Sequence, residues 1–537
     1  MRLINSKTLQ LHEFEQSSPG IPRYAILSHT WGDDEVTFHD MTSKHPAALA
    51  RKKGYAKIWQ TCRLAQQDNL EYVWIDTCCI DKSSSAELSE SINSMFKWYA
   101  NAAICYVFLF EFVAGERELR ACRWWTRGWT LQELLAPGIL AFYDAGWTAV
   151  GTKQSLTREI SDITGIGQEI LLRPSQIFLC SVSQRMSWAA FRETTRIEDK
   201  AYCLLGIFGI HMPLLYGEGP MAFRRLQEEI IKRSADLTIF FWGVTPSDDG
   251  KPQYLSLFAE SPDAFSSDAP SKPATLGFPE FVLTNKGVFF SNVSNLAVIN
   301  DLERGDVIYG FLLGWDDQQP LIIILRKVGP GIFCRDGRGL VRGEARRLST
   351  TNSFYVLADP ELIVEDAIMQ SRQHAPHLRH NEQFQLQSVV PNHIWDAADH
   401  VFLYTPQSTF QNVPSPNHRV TLDHELATAA MVFDVQFGSV TVSLVIFFDE
   451  GKFKMFEWDS YTEQSELLFR KQNLEKSIPL SDFRKLMPCF DSLQDGVDIR
   501  LSDDRHVHIT VELLSGTLQV MSKEVDVWDI VFKVGMK

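Results

Sequence analysis

Part-way along this chain the hydrophobic pattern changes its period, and two kinds of domain follow from that. Up to about residue 240, short apolar runs alternate with amphipathic helical stretches, the pattern of a parallel sheet covered by helices. The runs are Tyr24 to Leu27, Tyr72 to Ile75, Ile104 to Leu109 and Ile139 to Tyr143. Between the second and third, Leu88, Ile92, Met95, Phe96 and Tyr99 recur at helical spacing, and Ser84 with Glu87 reads as a capping box ahead of them. Further helices are expected over Arg51 to Gln67 and over Trp129 to Leu135, the second stopped by Pro137-Gly138.

From Met186 to Arg233 the helical period continues, with Trp188, Phe191, Tyr202, Leu204, Leu205 and Phe208 supplying apolar faces. Thr245 to Gly277, rich in Ser, Pro and Asp, reads as a boundary. Beyond it the period becomes two, with strands expected at Val307 to Leu313, Leu321 to Leu325, Val401 to Tyr404, Val440 to Phe448, Phe453 to Trp458, Val507 to Val511 and Val525 to Phe532. Asp449-Glu450-Gly451-Lys452 is a hairpin turn between two of them. The expected domains are an α/β domain over 1–185, a helical extension over 186–244, a linker over 245–277 and a mostly antiparallel β domain over 278–537.

Charge narrows the partners. The chain has 537 residues, 52 Lys plus Arg against 67 Asp plus Glu, and a net charge of -15. With no basic run in the sequence, binding through nucleic-acid phosphates or an anionic membrane surface is not expected. The longest apolar stretch, Ala102 to Phe110, is far short of the roughly 20 residues that cross a bilayer. The N-terminus has no signal-peptide core, so the expected address is the cytoplasm, with no membrane span. Nine cysteines without a C-x-x-C spacing read as reduced, buried thiols. His374, His377 and His380 stand three apart, but Pro376 interrupts any helix that would align them, so they read as a solvated loop and no metal is expected.

Several chemistries drop out because their loops are missing: no phosphate-cradling G-x-x-x-x-G-K-[ST], no G-x-S-x-G elbow and no H-E-x-x-H. The glycines near Gly337 fail the dinucleotide fingerprint, since Arg342 stands where the third glycine belongs.

What remains is polar and sits just after the predicted strands, where open α/β sheets bind ligands. Ser28, His29, Thr30, Trp31, Gly32, Asp33 and Asp34 come after the first, Asp76 to Asp81 after the second, and Glu111 after the third. The next short helix carries Arg127, Trp129 and Glu133, the last two four apart on one face. Read blandly, the tryptophans are core, Glu133 is solvated or pairs with Arg127, His29 bonds a neighbouring loop, Asp76 and Asp81 cap turns or the next helix, and Cys78 and Cys79 are small buried residues.

Three blocks, Tyr24 to Asp34, Tyr72 to Asp81 with the helix through Tyr99, and Arg123 to Pro137, together resemble those of the fungal heterokaryon incompatibility (HET) domain. The stretch from Arg185 to Glu218 is similar to the segment C-terminal to that domain in many HET proteins. The resemblance implies vegetative incompatibility: an effector of fungal innate immunity that detects non-self and triggers programmed cell death, acting through self-association or with other death-signalling proteins. The HET domain is remotely similar to the TIR domain, which implies a flavodoxin-like parallel sheet.

Enzymatic TIR domains cleave NAD with a Glu in a W-C-x-x-E-L helix, and Trp129 to Leu134 matches that pattern with Thr130 in place of the Cys. The resemblance therefore also implies an alternative, an NAD glycohydrolase-like enzyme with NAD as substrate. Glu133 would be its catalytic carboxylate, Trp129 or Trp31 a stacking wall, and Ser28, His29, Asp76 and Arg127 binding contacts.

Overall fold

The computed structural model describes residues 1–15, 20–43, 46–113, 116–243, 254–265, 269–273, 280–293, 295–300, 307–316, 319–341, 352–360, 364–373, 375–379, 381, 383–390, 395–403, 428–437, 440–449, 452–457, 496–500, 506–520 and 523–536. The chain divides into two compact units, one of Met1–Gly243 with Phe258–Ala274, the other of Val244–Leu257 with Thr275–Lys537. The stretch read as a linker is thus shared: Tyr254–Leu255 pairs with a strand of the second unit, whereas Gln227 binds both the amide (3.0 Å) and the carbonyl (2.8 Å) of Ala259 in the first.

The first unit is built on a seven-stranded sheet of β1 (Arg2–Asn5), β2 (Leu11–Glu13), β3 (Tyr24–His29), β4 (Tyr72–Trp74), β5 (Ile104–Phe108), β6 (Leu140–Tyr143) and β7 (Ala149–Thr152), in the order β2-β1-β4-β3-β5-β6-β7. The four central strands are mutually parallel and correspond to the four apolar runs of the sequence. Antiparallel strands extend the sheet at both edges, and neither edge was visible in the periodicity. Every residue of β3 is buried, which is why this strand reads as a continuous apolar run, as a central parallel strand covered on both faces must.

Helices Tyr55–Gln67 and Ser85–Asn101 connect the parallel strands. Ser84 caps the second by accepting from Glu87 N at 3.3 Å. Only half of the expected box forms, because the Glu87 carboxylate takes Asp81 N (2.8 Å) and Arg2 instead. This helix is clamped to β3 through backbone carbonyls: Tyr24 Oη donates to Trp98 O (2.6 Å) and Tyr99 Oη to Leu27 O (3.2 Å). The expected helical extension is a series of short helices, Val182–Ser187, Asp199–Tyr202 and Leu205–Phe208, followed by the longer Met221–Ile231.

The second unit is β-rich, with sheets of eight, six and four strands and a helix, Val364–Arg372, among the described residues. Val440–Asp449 and Lys452–Glu457 pair with Asp449 opposite Lys452, the hairpin expected there, although Glu450 and Gly451 lie outside the described residues. Pairing is mostly antiparallel, with parallel exceptions where Ile332–Val341 meets Asn352–Val356 and where Pro376–Leu378 meets Lys523–Met536. Strand Pro376–Leu378 corrects the loop reading of the histidines. His377 is on it and its Nδ1 lies 2.7 Å from Asp529 Oδ1, whereas His374 and His380 lie outside the described residues. Among the described residues no cluster of metal-binding side chains occurs, and no helix is long and apolar enough to cross a membrane. The eight described cysteines are all buried and free.

Gly206 marks the tightest approach of the Leu205–Phe208 helix to Ser85–Asn101: a Cβ there would fall 2.1 Å from Phe96 Cβ. Gly206→Ala is expected to lower the stability of the first unit by about 1 to 3 kcal/mol through overpacking. Gly138→Ala, where a Cβ meets nothing within 4 Å, should be near neutral. Urea unfolding of both variants beside the wild type checks the contrast.

Candidate functional site

The C-terminal ends of β3 and β4 open onto a cavity of about 350 Å³, a volume suited to a small ligand. β3 supplies His29 and, just beyond it, Thr30 and Trp31; the turn after β4 supplies Asp76. The helix Thr130–Leu135 supplies Thr130 and Glu133. Arg127 and Trp129 precede that helix, and Thr195, Arg196, Asp199 and Tyr216 close the remaining side.

Glu133 is placed by both ends of its helix. At the start, Thr130 Oγ1 donates to the carbonyls of Trp124 (2.5 Å) and Arg127 (2.8 Å). At the end, Pro137-Gly138 stops the helix, and the buried Lys153 ammonium donates to the carbonyls of Leu134 (3.1 Å) and Pro137 (2.6 Å). Burial pulls the Lys153 amine down to about 8, yet the two carbonyls give it partners where helix ends leave them unmet.

Ser28 sits behind Glu133, fully buried, and does not line the cavity. The Trp124 indole N–H donates to Ser28 Oγ at 2.8 Å, so the serine's own proton is free to point at Glu133 Oε2, to which it is hydrogen-bonded. Burial pushes the Glu133 carboxyl up to about 8 and the Asp76 charge adds to this; Ser28, Tyr99 and Arg127 pull the other way. Arg127 does not form the expected ion pair with Glu133; its guanidinium donates to Thr195 Oγ1 at 3.4 Å.

Asp76 moves oppositely. Burial would raise it, but His29 and the Lys82 charge outweigh that and hold it below the usual carboxylate range. His29 Nε2 lies 3.3 Å from Asp76 Oδ1. On its other face Nδ1 lies 3.1 Å from the Lys57 ammonium and 3.3 Å from the Thr30 carbonyl. Two carboxyls on one cavity, one raised and one lowered, are the arrangement by which a site separates acid from base.

The tryptophans divide between core and wall. Trp124 and Trp125 are buried against Phe142, as the bland reading expects. Trp31, 51% exposed, is held by its N–H on Asp76 Oδ2 (2.9 Å), and Trp129 by its N–H on Asp199 Oδ2 (3.4 Å). Asp81 caps a turn by accepting from Ser83, and Glu111 accepts from Arg123 N (2.8 Å) away from the cavity.

Asp199, Arg196 and Tyr216 were not among the residues singled out in the sequence. Tyr216 is presented by a loop whose amides at Gly217 and Gly219, both with positive φ, are held by Glu198 at 2.7 and 3.2 Å. Its hydroxyl donates to Asp199 Oδ1 at 2.9 Å. The one signal in sequence was the Gly217-Glu218-Gly219-Pro220 turn, which marks a shaped loop but not what it faces.

With the cavity's strands and its central carboxyl in place, comparison with known proteins gives the same family as the three blocks. Residues 24–116 match the heterokaryon incompatibility protein (HET) family. Over those residues the chain is similar to a HET domain. It is 48% identical over 225 residues to the vegetative incompatibility protein HET-E-1 of Podospora anserina, a match covering 40% of this chain and 16% of that protein. The chain therefore spans well under two thirds of that relative. Residues 221–275 match a family described only as a domain of unknown function, DUF8212. No solved structure matches.

The raised Glu133 carboxyl makes stability depend on pH in a stated direction. Between its ordinary value of 4.5 and about 8 the folded state holds a proton that the unfolded chain has lost, so stability falls as pH rises through that window. Glu133→Gln removes this dependence. The variant's stability relative to wild type should therefore grow from pH 5 to pH 8.5, by on the order of a few kcal/mol, in urea titrations at the two pH values.

Proposed function

We propose that this chain is an effector of vegetative incompatibility, in which its HET domain converts detection of non-self into programmed cell death. The identity to HET-E-1 and the HET match support this reading. The HET-bearing unit is read as TIR-like: numbered along the chain, its parallel strands run second, first, third, fourth, the order of flavodoxin-like sheets.

One observation favours chemistry on a small ligand: Glu133 lines the cavity with His29, Trp31 and Asp76 instead of pairing with Arg127 at the surface. NAD is the ligand this reading names. Its nicotinamide leaves as a neutral ring from a cationic glycoside, so cleavage needs no general acid, only an anion beside the oxocarbenium-like ribose. Burial favours the protonated form of Glu133, and a pyridinium cation beside it favours the ionised form. Trp31 and Trp129 are the flat walls against which a ring stacks.

A second reading, a self-associating signalling module without chemistry, draws on a different feature. Leu172, Phe178, Leu179, Phe191, Ile197, Leu215 and Met221 are all about half exposed or more within fifty residues of the HET-bearing unit. The two readings part at one substitution. For the full chain expressed in a fungal cell, Glu133→Gln is expected to abolish toxicity and to cut NAD loss by the purified protein roughly 100-fold. A fully toxic Glu133→Gln, with no NAD turnover by wild type, leaves the self-association reading in its place.

A further inference from the structure

Charge is layered in the Glu133 cavity. The carboxyls of Asp76, Glu133 and Asp199 are buried or nearly so, whereas the cations that share its lining, Lys82 and Arg196, are exposed and Arg127 is half-buried. Each carboxyl feels one of these cations: Lys82 acts on Asp76, Arg127 on Glu133 and Arg196 on Asp199. Yet among the described residues none of the three comes within 4.0 Å of any carboxylate.

Aromatic faces hold two of the cations in place instead. The Lys82 ammonium lies 3.4 Å from the centre of the Trp31 ring, and the Arg196 guanidinium 4.4 Å from that of Tyr216. Those rings are themselves fixed, since Trp31 donates to Asp76 and Tyr216 to Asp199. A cation stacked on a ring keeps its N–H donors free, which an ion pair would consume. In a chain of net charge -15, three such cations around one opening make a local exception.

We propose that the mouth of this cavity is a phosphate subsite formed by Lys82, Arg127 and Arg196, and that its ligands are phosphorylated, hydroxyl-bearing small molecules. Phosphate oxygens take the free donors at the mouth, where arginine's fork suits them. Hydroxyls of the same molecule reach the inner carboxyls, where the charged Asp76 accepts hydrogen bonds and repels anions. Charge order sets the ligand's orientation: phosphate outward, polyol inward. This deepens the ligand-binding reading of the Glu133 cavity and rests on it for the site, but not for any reaction.

Calorimetric titration of the full chain with ribose 5-phosphate, ribose and inorganic phosphate tests it. Ribose 5-phosphate is expected to bind at least about tenfold more tightly than either of the others, with an advantage that shrinks as salt is raised. The double variant Lys82→Gln, Arg196→Gln, altered only at exposed side chains, should lose that advantage and keep its affinity for ribose. The proposal is overturned if ribose 5-phosphate gives no binding, if inorganic phosphate binds as well as it does, or if the preference survives in the double variant. The function proposed above stands or falls separately on Glu133→Gln toxicity, so failure of one is told apart from failure of the other.

Discussion

A chain of two hydrogen bonds, from the Trp124 indole to Ser28 and from Ser28 to Glu133, ties the sheet to the cavity. An indole N–H can only donate, so it fixes which way the serine hydroxyl turns and leaves Glu133 as the acceptor. Trp124 is packed edge-on to Trp125, 4.7 Å between ring centres, and Ser28 lies on the fully buried central strand; the carboxyl's position is therefore as rigid as the core behind it. The same burial that fixes Glu133 denies it water and raises its proton affinity. Asp76, on the same cavity, keeps its charge because His29, Trp31 and Lys82 replace the solvent it has lost.

The site extends well past the residues that match the HET family. That match ends at residue 116, whereas Arg127, Trp129, Thr130 and Glu133 lie beyond it, and Arg196, Asp199 and Tyr216 come from a further segment. The similarity to HET-E-1 runs over 225 residues, a length on the scale of the whole first unit. The cavity is lined by four stretches of chain that are distant in sequence, so the segment from Thr195 to Tyr216 contributes to it and is not only a cover for the sheet.

Much of this was legible in the sequence. The four parallel strands showed as apolar runs because strands buried on both faces are mostly apolar, and polar residues just past their ends line the cavity. Glu133 and Trp129 were visible as a pair one helical turn apart. The edge strands Arg2–Asn5 and Ala149–Thr152 were not, because short edge strands carry mixed side chains and no period. Ser28 was expected to touch ligand and proved to stand behind Glu133, a matter of which way a strand residue points. Asp199 and Tyr216 escaped because what makes them site residues is the fold of a glycine loop back onto Trp129, and no local pattern records a contact of that kind.

Burial of Glu133 in this cavity favours its protonated form. Carbon-detected titration of the glutamate carboxyls in the labelled full chain, with the Glu133 signal assigned by its loss in Glu133→Gln, reads its proton directly. A midpoint near 8 is expected, with the signal still that of a carboxylic acid at pH 6. A midpoint at or below the ordinary 4.5 would mean that water reaches Glu133 freely and that burial does not set its proton affinity.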